Sequence, residues 1–150
     1  MADRKSIIEE LTKSYWMEME TVMNYISNSV NLDGVRAEEI KKSLAVDITE
    51  EIGHAQSLAK RIKELGGTVP SSMNFKPSQE KLQTLEDTTD VVSVIEGVIT
   101  AEDGAIKQYN KIIKMCDGED YVTQDICIRL LGMEESHLIE FKGFLKEYKK

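Results

Sequence analysis

The strongest constraint on this 150-residue chain is a carboxylate placed where a helix should be apolar. Read at helical spacing, the run from Leu44 gives Leu44, Ile48, Glu51, Ala55, Leu58, Ile62 and Leu65 on one face. Glu51 breaks that stripe, and His54 lies one turn further on. Burying a lone carboxylate costs several kcal/mol or shifts its pKa until it is neutral. A fold that buries this face therefore has to supply Glu51 with a partner.

The same interruption recurs along the chain. A first stripe runs Ile7, Leu11, Tyr15, Glu18, Val22, Tyr25 and Ser29, with Glu18 in its middle and Glu20 off the face. Its start is marked by Ser6-Ile7-Ile8-Glu9, which fits a capping box, or by Asp3. Asn31-Leu32-Asp33-Gly34 reads as a turn, with Asp33 placed to cap a second helix from about Arg36 to Leu65 that Gly66-Gly67 stops. Each helix is close to 30 residues, or roughly 45 Å, and the short connection makes them an antiparallel hairpin.

Residues 66 to 88 carry loop chemistry, Thr68-Val69-Pro70-Ser71-Ser72 and Phe75-Lys76-Pro77-Ser78, with one helical turn expected near Gln79 to Leu85. The segment is too long for a tight turn and suits a strap running back along a bundle. Asp87-Thr88-Thr89-Asp90 offers N-caps for a third helix, whose stripe is Val91, Ile95, Val98, Glu102, Ala105 or Ile106, Tyr109, Ile112 or Ile113, and Cys116. After the turn Asp117-Gly118-Glu119-Asp120, a fourth helix from Tyr121 to Tyr148 reads Cys127, Leu130, Glu134, His137 or Leu138, Phe141, Leu145 and Tyr148. The expected fold is all-α: an antiparallel four-helix bundle of two helical hairpins joined by a long crossover, one domain over residues 1–150.

The two hairpins share one design. Glu18 is followed after 33 residues by Glu51-x-x-His54, and Glu102 after 32 residues by Glu134-x-x-His137. Tyr25 and Tyr109 each lie seven residues beyond the lone Glu, as core residues or as hydroxyl donors to the opposite lone Glu. Small residues, Gly53 and Ser136, precede the histidines, and close approach of a neighbouring helix or a metal would account for Gly53. A Glu from each of two helices and a Glu-x-x-His from each of the other two is how four-helix bundles hold two metals, because i, i+3 spacing aims carboxylate and imidazole at one point on the bundle axis. Four carboxylates balance two divalent cations, whereas without metal they would repel and take up protons. One Glu-x-x-His alone would be ordinary surface in a chain with 31% charged residues. Here the repeat uses both histidines of the protein.

At these residues the chain resembles the ferritin-like superfamily, and within it bacterioferritins, over nearly its whole length. The resemblance is carried by Glu18 with Asn24-Tyr25, Glu51-x-x-His54-Ala55, Ala101-Glu102-Asp103-Gly104-Ala105, Asp120-Tyr121-Val122-x-x-Asp125 and Glu134-Glu135-Ser136-His137. It implies that Glu18, Glu51 and His54 bind one iron and Glu102, Glu134 and His137 the other, with Glu51 and Glu134 bridging and Tyr25 beside the site. The implied cofactors are two iron ions per chain, with manganese or zinc as alternatives, and the implied reaction is oxidation of Fe(II) by dioxygen or hydrogen peroxide. The family's haem-binding Met directly after the second-helix Glu is replaced by Ile52, so haem is not expected; Met17, Met19 and Met23 read as packing. The chain ends at Lys150, soon after the fourth helix, and its crossover is longer than in cage-forming members, so the short fifth helix is not expected and formation of the 24-subunit shell is left open.

The function expected is a ferroxidase-type di-iron carboxylate protein in iron storage or in iron and peroxide detoxification. The alternatives are a rubrerythrin-type peroxidase, or another di-iron oxidase taking electrons from a separate donor, and a non-catalytic bundle whose polar layer sets register. A net charge of −8 with no basic patch excludes nucleic-acid and anionic-membrane partners. The charged start Met1-Ala2-Asp3-Arg4-Lys5 has no apolar leader and no run of about 18 apolar residues follows, so a cytoplasmic protein is expected. Cys116 and Cys127 form no CxxC knuckle and read as reduced structural thiols, or as a redox pair between neighbouring helices. Trp16, Met17 and Met19 suggest a second apolar face, for a twin subunit in a homo-oligomer of at least a dimer, unless Trp16 packs under the crossover.

Overall fold

The computed structural model describes residues 3–150; Met1 and Ala2, part of the charged start read above, lie outside the described residues. Four long helices account for most of it: α1 (Arg4–Asn31), α2 (Glu38–Glu64), α3 (Val91–Cys116) and α4 (Tyr121–Tyr148). No strand occurs among the described residues, and no described helix is long and apolar enough to cross a membrane. α1 pairs with α2 and α3 with α4, while α1 also faces α3 and α2 faces α4.

The helix ends follow local chemistry. Asp3, not the Ser6 box, caps α1 by accepting the Ser6 N–H at 2.8 Å. Ser6 is already inside the first turn, where its hydroxyl cannot serve as the cap. Asp90 and Asp120 cap α3 and α4 in the same way, accepting from Ser93 and Thr123. α2 has no side-chain cap, contrary to the expectation for Asp33: a single 3-10 turn at Val35–Ala37 leads into it, and the Asp33 carboxylate accepts the Thr88 hydroxyl instead. α2 ends in a Schellman motif, with Gly66 at φ 89° and Gly67 N–H bonded to the Ile62 carbonyl.

The crossover sets the direction of the second hairpin. Its single 3-10 turn lies at Ser72–Asn74, and the stretch Gln79 to Leu85, expected to hold a helical turn, carries only turns and bends. Those residues are tied to α1 by side chains rather than by a helix of their own. Glu20, off the inner face as its spacing indicates, is nevertheless buried, because its carboxylate accepts the Ser78 N–H, the Ser78 hydroxyl and the Gln79 N–H. Gln79 bonds Asn24 and Thr21, and Asn28 donates to the Leu82 carbonyl. Leu82 then packs so closely on α3 that a Cβ at Gly97 would lie 2.7 Å from it. At the far end Asp33 N–H donates to the Thr88 carbonyl, which puts the start of α3 beside the turn between α1 and α2. α3 therefore runs parallel to α2, as a two-hairpin bundle with a strap requires.

Side chains fill the bundle in two separate cores. One gathers Ile7, Leu11, Leu58, Ile62, Ile112 and Cys127. The other gathers Leu32, Ile40, Leu44, Ile95, Val98 and Phe141. Of the paired choices left open by periodicity, Ala105, Ile112 and His137 are the buried members. Gly53 answers to no close approach, since a Cβ there would meet open space. Trp16 packs on Phe75 of the crossover, with ring centroids 5.2 Å apart. Cys116 and Cys127 are free, buried thiols.

Two outcomes follow. Glu20→Ala leaves the Ser78 and Gln79 N–H groups without their acceptor; we expect a stability loss of roughly 1–3 kcal/mol and faster limited proteolysis within residues 70–85. Burial pushes the Cys116 thiol up to about 11 and the Cys127 thiol to about 12. Alkylation of the native protein at pH 8 is therefore slow and becomes fast only on unfolding, as mass spectrometry will show.

Candidate metal centre

Between the two cores lies a single polar layer. Glu18 from α1, Glu51 and His54 from α2, Glu102 from α3, and Glu134 and His137 from α4 all point into it and are buried. Each comes from mid-helix, where the stripe that packs the cores is interrupted by the residue that faces the axis.

Two overlapping donor sets result. Glu18, Glu51, His54 and Glu134 bring one ligand atom each within 4.8 Å of one another, and so do Glu51, Glu102, Glu134 and His137. Glu51 and Glu134 belong to both sets. His54 Nδ1 lies 3.6 Å from Glu18, 3.4 Å from Glu51 and 2.9 Å from Glu134. His137 Nδ1 lies 3.3 Å from Glu51, 3.6 Å from Glu102 and 3.9 Å from Glu134. Both histidines thus turn Nδ1 toward the carboxylates.

The lone glutamates are held from across the bundle. Tyr25 of α1 donates to Glu102 of α3 at 2.7 Å, and Tyr109 of α3 donates to Glu18 of α1 at 2.8 Å. Each occupies one oxygen and leaves the other, Glu102 Oε2 and Glu18 Oε2, buried without a hydrogen-bond partner. Both Glu51 oxygens, Glu134 Oε1, and Nδ1 of His54 and of His137 are orphaned in the same way. Among the described residues nine buried side-chain atoms lack a partner, and seven belong to these six residues. Interiors rarely leave polar atoms unpaired, so such a concentration marks a site that receives a ligand.

The fold and this donor set agree with the match of the chain to the Ferritin-like domain family model over residues 8–150. The chain belongs to the ferritin-like family. This ferritin-like chain is 29% identical over 143 residues to a bacterioferritin of Desulfovibrio desulfuricans, covering 94% of this chain and 75% of that protein. It is 25% identical over 145 residues to a DNA protection during starvation protein of Pyrococcus furiosus, covering 95% and 78%. Among solved structures it superposes with a TM-score of 0.90 on a dodecameric thioferritin, the bacterioferritin-related protein of Bacteroides fragilis, at 27% identity with 98% and 88% of the two chains covered.

Sequence reasoning missed what stands behind the histidines of this ferritin-like chain. His137 Nε2 is hydrogen-bonded to Glu50 and lies 3.4 Å from Asp47, which is buried. His54 Nε2 meets the thioether of Met133 at 3.3 Å. Spacing held the signal. Glu50 and Met133 each directly precede the Glu of a Glu-x-x-His, and Asp47 lies one turn before Glu51. Asp47, Glu50, Met133, His137 and Glu140 line a cleft of about 300 Å³ between α2 and α4 that opens the layer to the surface.

Metal-free, the layer keeps protons. Burial pushes the Glu134 carboxyl far above the usual range, reinforced by the nearby carboxylates of Glu102 and Glu51. Burial also acts to raise Glu51, but the imidazoles of His137 and His54, 3.3 Å and 3.4 Å from its oxygens, outweigh it and hold that carboxyl at about 2. For His137, burial favours the neutral ring, yet Glu102, Glu51 and Asp47 raise it to about 11. Burial lifts Asp47 to about 7.

The sign of the stability change follows. Groups with raised native pKa values bind more protons folded than unfolded, so stability falls as pH rises through the interval between the two values. That interval runs from 3.8 to about 7 for Asp47 and from 6.5 to about 11 for His137. Glu51 acts oppositely, but only between about 2 and 4.5. Metal-free protein is expected to melt at lower temperature at pH 9 than at pH 5.5. Saturating divalent metal reverses that order, because cations replace the protons. Calorimetry with and without metal checks both.

Proposed function

We propose that the six-residue layer holds two iron ions and promotes oxidation of Fe(II) by dioxygen or hydrogen peroxide, in iron storage or in protection from iron and peroxide. The observation that carries this reading is the pair of donor sets sharing Glu51 and Glu134, seven of whose buried atoms have no hydrogen-bond partner in the protein. Glu18 and His54 would hold one ion, Glu102 and His137 the other, and Glu51 and Glu134 would bridge them. Mixed carboxylate and imidazole donors suit iron, with manganese and zinc as competitors. The structure of the D. desulfuricans bacterioferritin, at 26% identity and a TM-score of 0.83, is described as having a diiron site, which supports the same assignment here.

Iron bound in the layer would supply one electron per ion to the oxidant. The protein's part is to assemble and adjust the donors. The crossed tyrosine hydroxyls fix one oxygen of each lone glutamate, so the other stays aimed at the axis. Glu134 gives up its proton as cations arrive, and ligand charge then matches metal charge, four carboxylates against two divalent ions. The two apolar cores wall the layer on both sides and leave the Asp47–Glu50 cleft as its open face.

Self-association, at least to a dimer, is part of the proposal. Met19, Met23, Ile26 and Val30 on α1 and Val46 and Ile52 on α2 are exposed apolar residues that a second copy would cover. The dodecameric B. fragilis relative supports it.

Anaerobic Fe(II) titration of metal-free protein is expected to saturate at two ions per chain, and addition of either oxidant to produce ferric absorbance. Glu51→Ala and Glu134→Ala each remove a shared donor and are expected to lower the rate at least 100-fold and the stoichiometry below two. Saturation at one ion or none in the unaltered protein overturns the reading.

A further inference from the structure

The two halves of the metal centre are related by the repeat in every ligand but differ in what stands behind the ligands. Residues 50, 51 and 54 of α2 correspond to 133, 134 and 137 of α4. The first member of each triplet reaches across to the other hairpin's histidine: Glu50 to His137 Nε2, and Met133 to His54 Nε2. One is a carboxylate and the other a thioether.

The difference acts through the imidazole. Both rings turn Nδ1 to the donor layer, so Nδ1 is the coordinating nitrogen and must be unprotonated to bind a cation, which leaves the proton on Nε2. For His137 that N–H donates to the Glu50 carboxylate, with Asp47 3.4 Å away. For His54 it meets Met133 Sδ at 3.3 Å, and sulfur is a weak acceptor with no charge. A carboxylate behind a ligating imidazole fixes the tautomer and makes the ring a stronger donor; loss of such a partner typically weakens metal binding 10–100-fold. The opposing lone glutamates do not offset this, since each has its own tyrosine at nearly equal distance.

We propose that Glu50 and Met133 are positioning residues that make the centre bind its two ions in order, the position at Glu102 and His137 filling first and that at Glu18 and His54 holding its ion 10–100-fold more weakly. The inference rests on the two-metal reading above. It gives the centre one retained ion and one exchangeable ion, set by the difference between Glu50 and Met133, to which Asp47 adds on the His137 side where the repeat has Leu130. Both residues are about one-third exposed, so either position tolerates substitution without disturbing a core.

The test uses Co(II), which reports its coordination by visible absorption, titrated into the metal-free full chain in oxygen-free solution. Two resolved steps are expected. Crystals with one equivalent are expected to show anomalous density at His137, not at His54. Met133→Glu is expected to tighten the weaker step and narrow the gap; Glu50→Met is expected to narrow it by weakening the tighter step, with Asp47 still beside His137. An added carboxylate acting only through general charge would strengthen both steps alike and keep their ratio, which would refute the proposal. Two indistinguishable steps in the unaltered protein, or first occupancy at His54, would also refute it while leaving the two-metal reading intact. Absence of Co(II) binding would overturn both. Should Met133→Glu fail to fold by circular dichroism, the Glu50→Met ratio alone decides.

Discussion

Repulsion among like charges in a dry layer is the constraint around which this bundle is built. Four carboxylates and two imidazoles occupy the place where the two apolar cores would otherwise merge. Such a layer persists only with compensation, from retained protons when empty and from cations when filled. The cores above and below hold the helices at the spacing that brings donors together while leaving their inward atoms unpaired. The apolar packing is therefore located in the cores and the unpaired polar atoms in the gap between them.

The repeat explains how a chain of this size builds such a layer. Each hairpin carries one lone Glu and one Glu-x-x-His, and neither hairpin completes a donor set by itself, because each set takes residues from both. The tyrosines cross the same boundary, α1 to α3 and back. Departures from symmetry lie just outside the shared layer, at Glu50 and Met133, which meet the Nε2 atoms of the two histidines.

The helices and the convergence of six polar residues in one layer were legible because both rest on period. Interrupted stripes gave Glu18, Glu51, Glu102 and Glu134 their common face, and capping chemistry bracketed the start of α3 within Asp87 to Asp90, of which Asp90 is the cap. What escaped depended on contacts between distant segments. Glu20 lies off the inner face, and nothing in its spacing announces that the crossover will fold over it and donate three hydrogen bonds. Asp33 has the composition of a cap, yet it serves Thr88, 55 residues away. Gly53 suggested close approach of a helix or a metal and meets no neighbouring helix, while Gly97 abuts Leu82 of the crossover. Glu50 and Met133 were written in the repeat, but their significance needed the histidine rotamers.

The crossed tyrosine bonds have a consequence for how the chain reaches this structure. Helical hairpins form from local contacts and form early, whereas docking one hairpin on the other must await closure of a long loop. Tyr25 and Glu102 are 77 residues apart, and Tyr109 and Glu18 are 91 apart. A dock displaced by one helical turn would bury a hydroxyl against hydrocarbon and strand a charge opposite it, at both ends of the layer simultaneously. Apolar stripes of leucine and isoleucine are forgiving of such slippage; this pair of bonds is not. The residues that orient the ligands thus also discriminate between the correct register of the assembled halves and its near neighbours, acting as a vernier on a core that would otherwise slide.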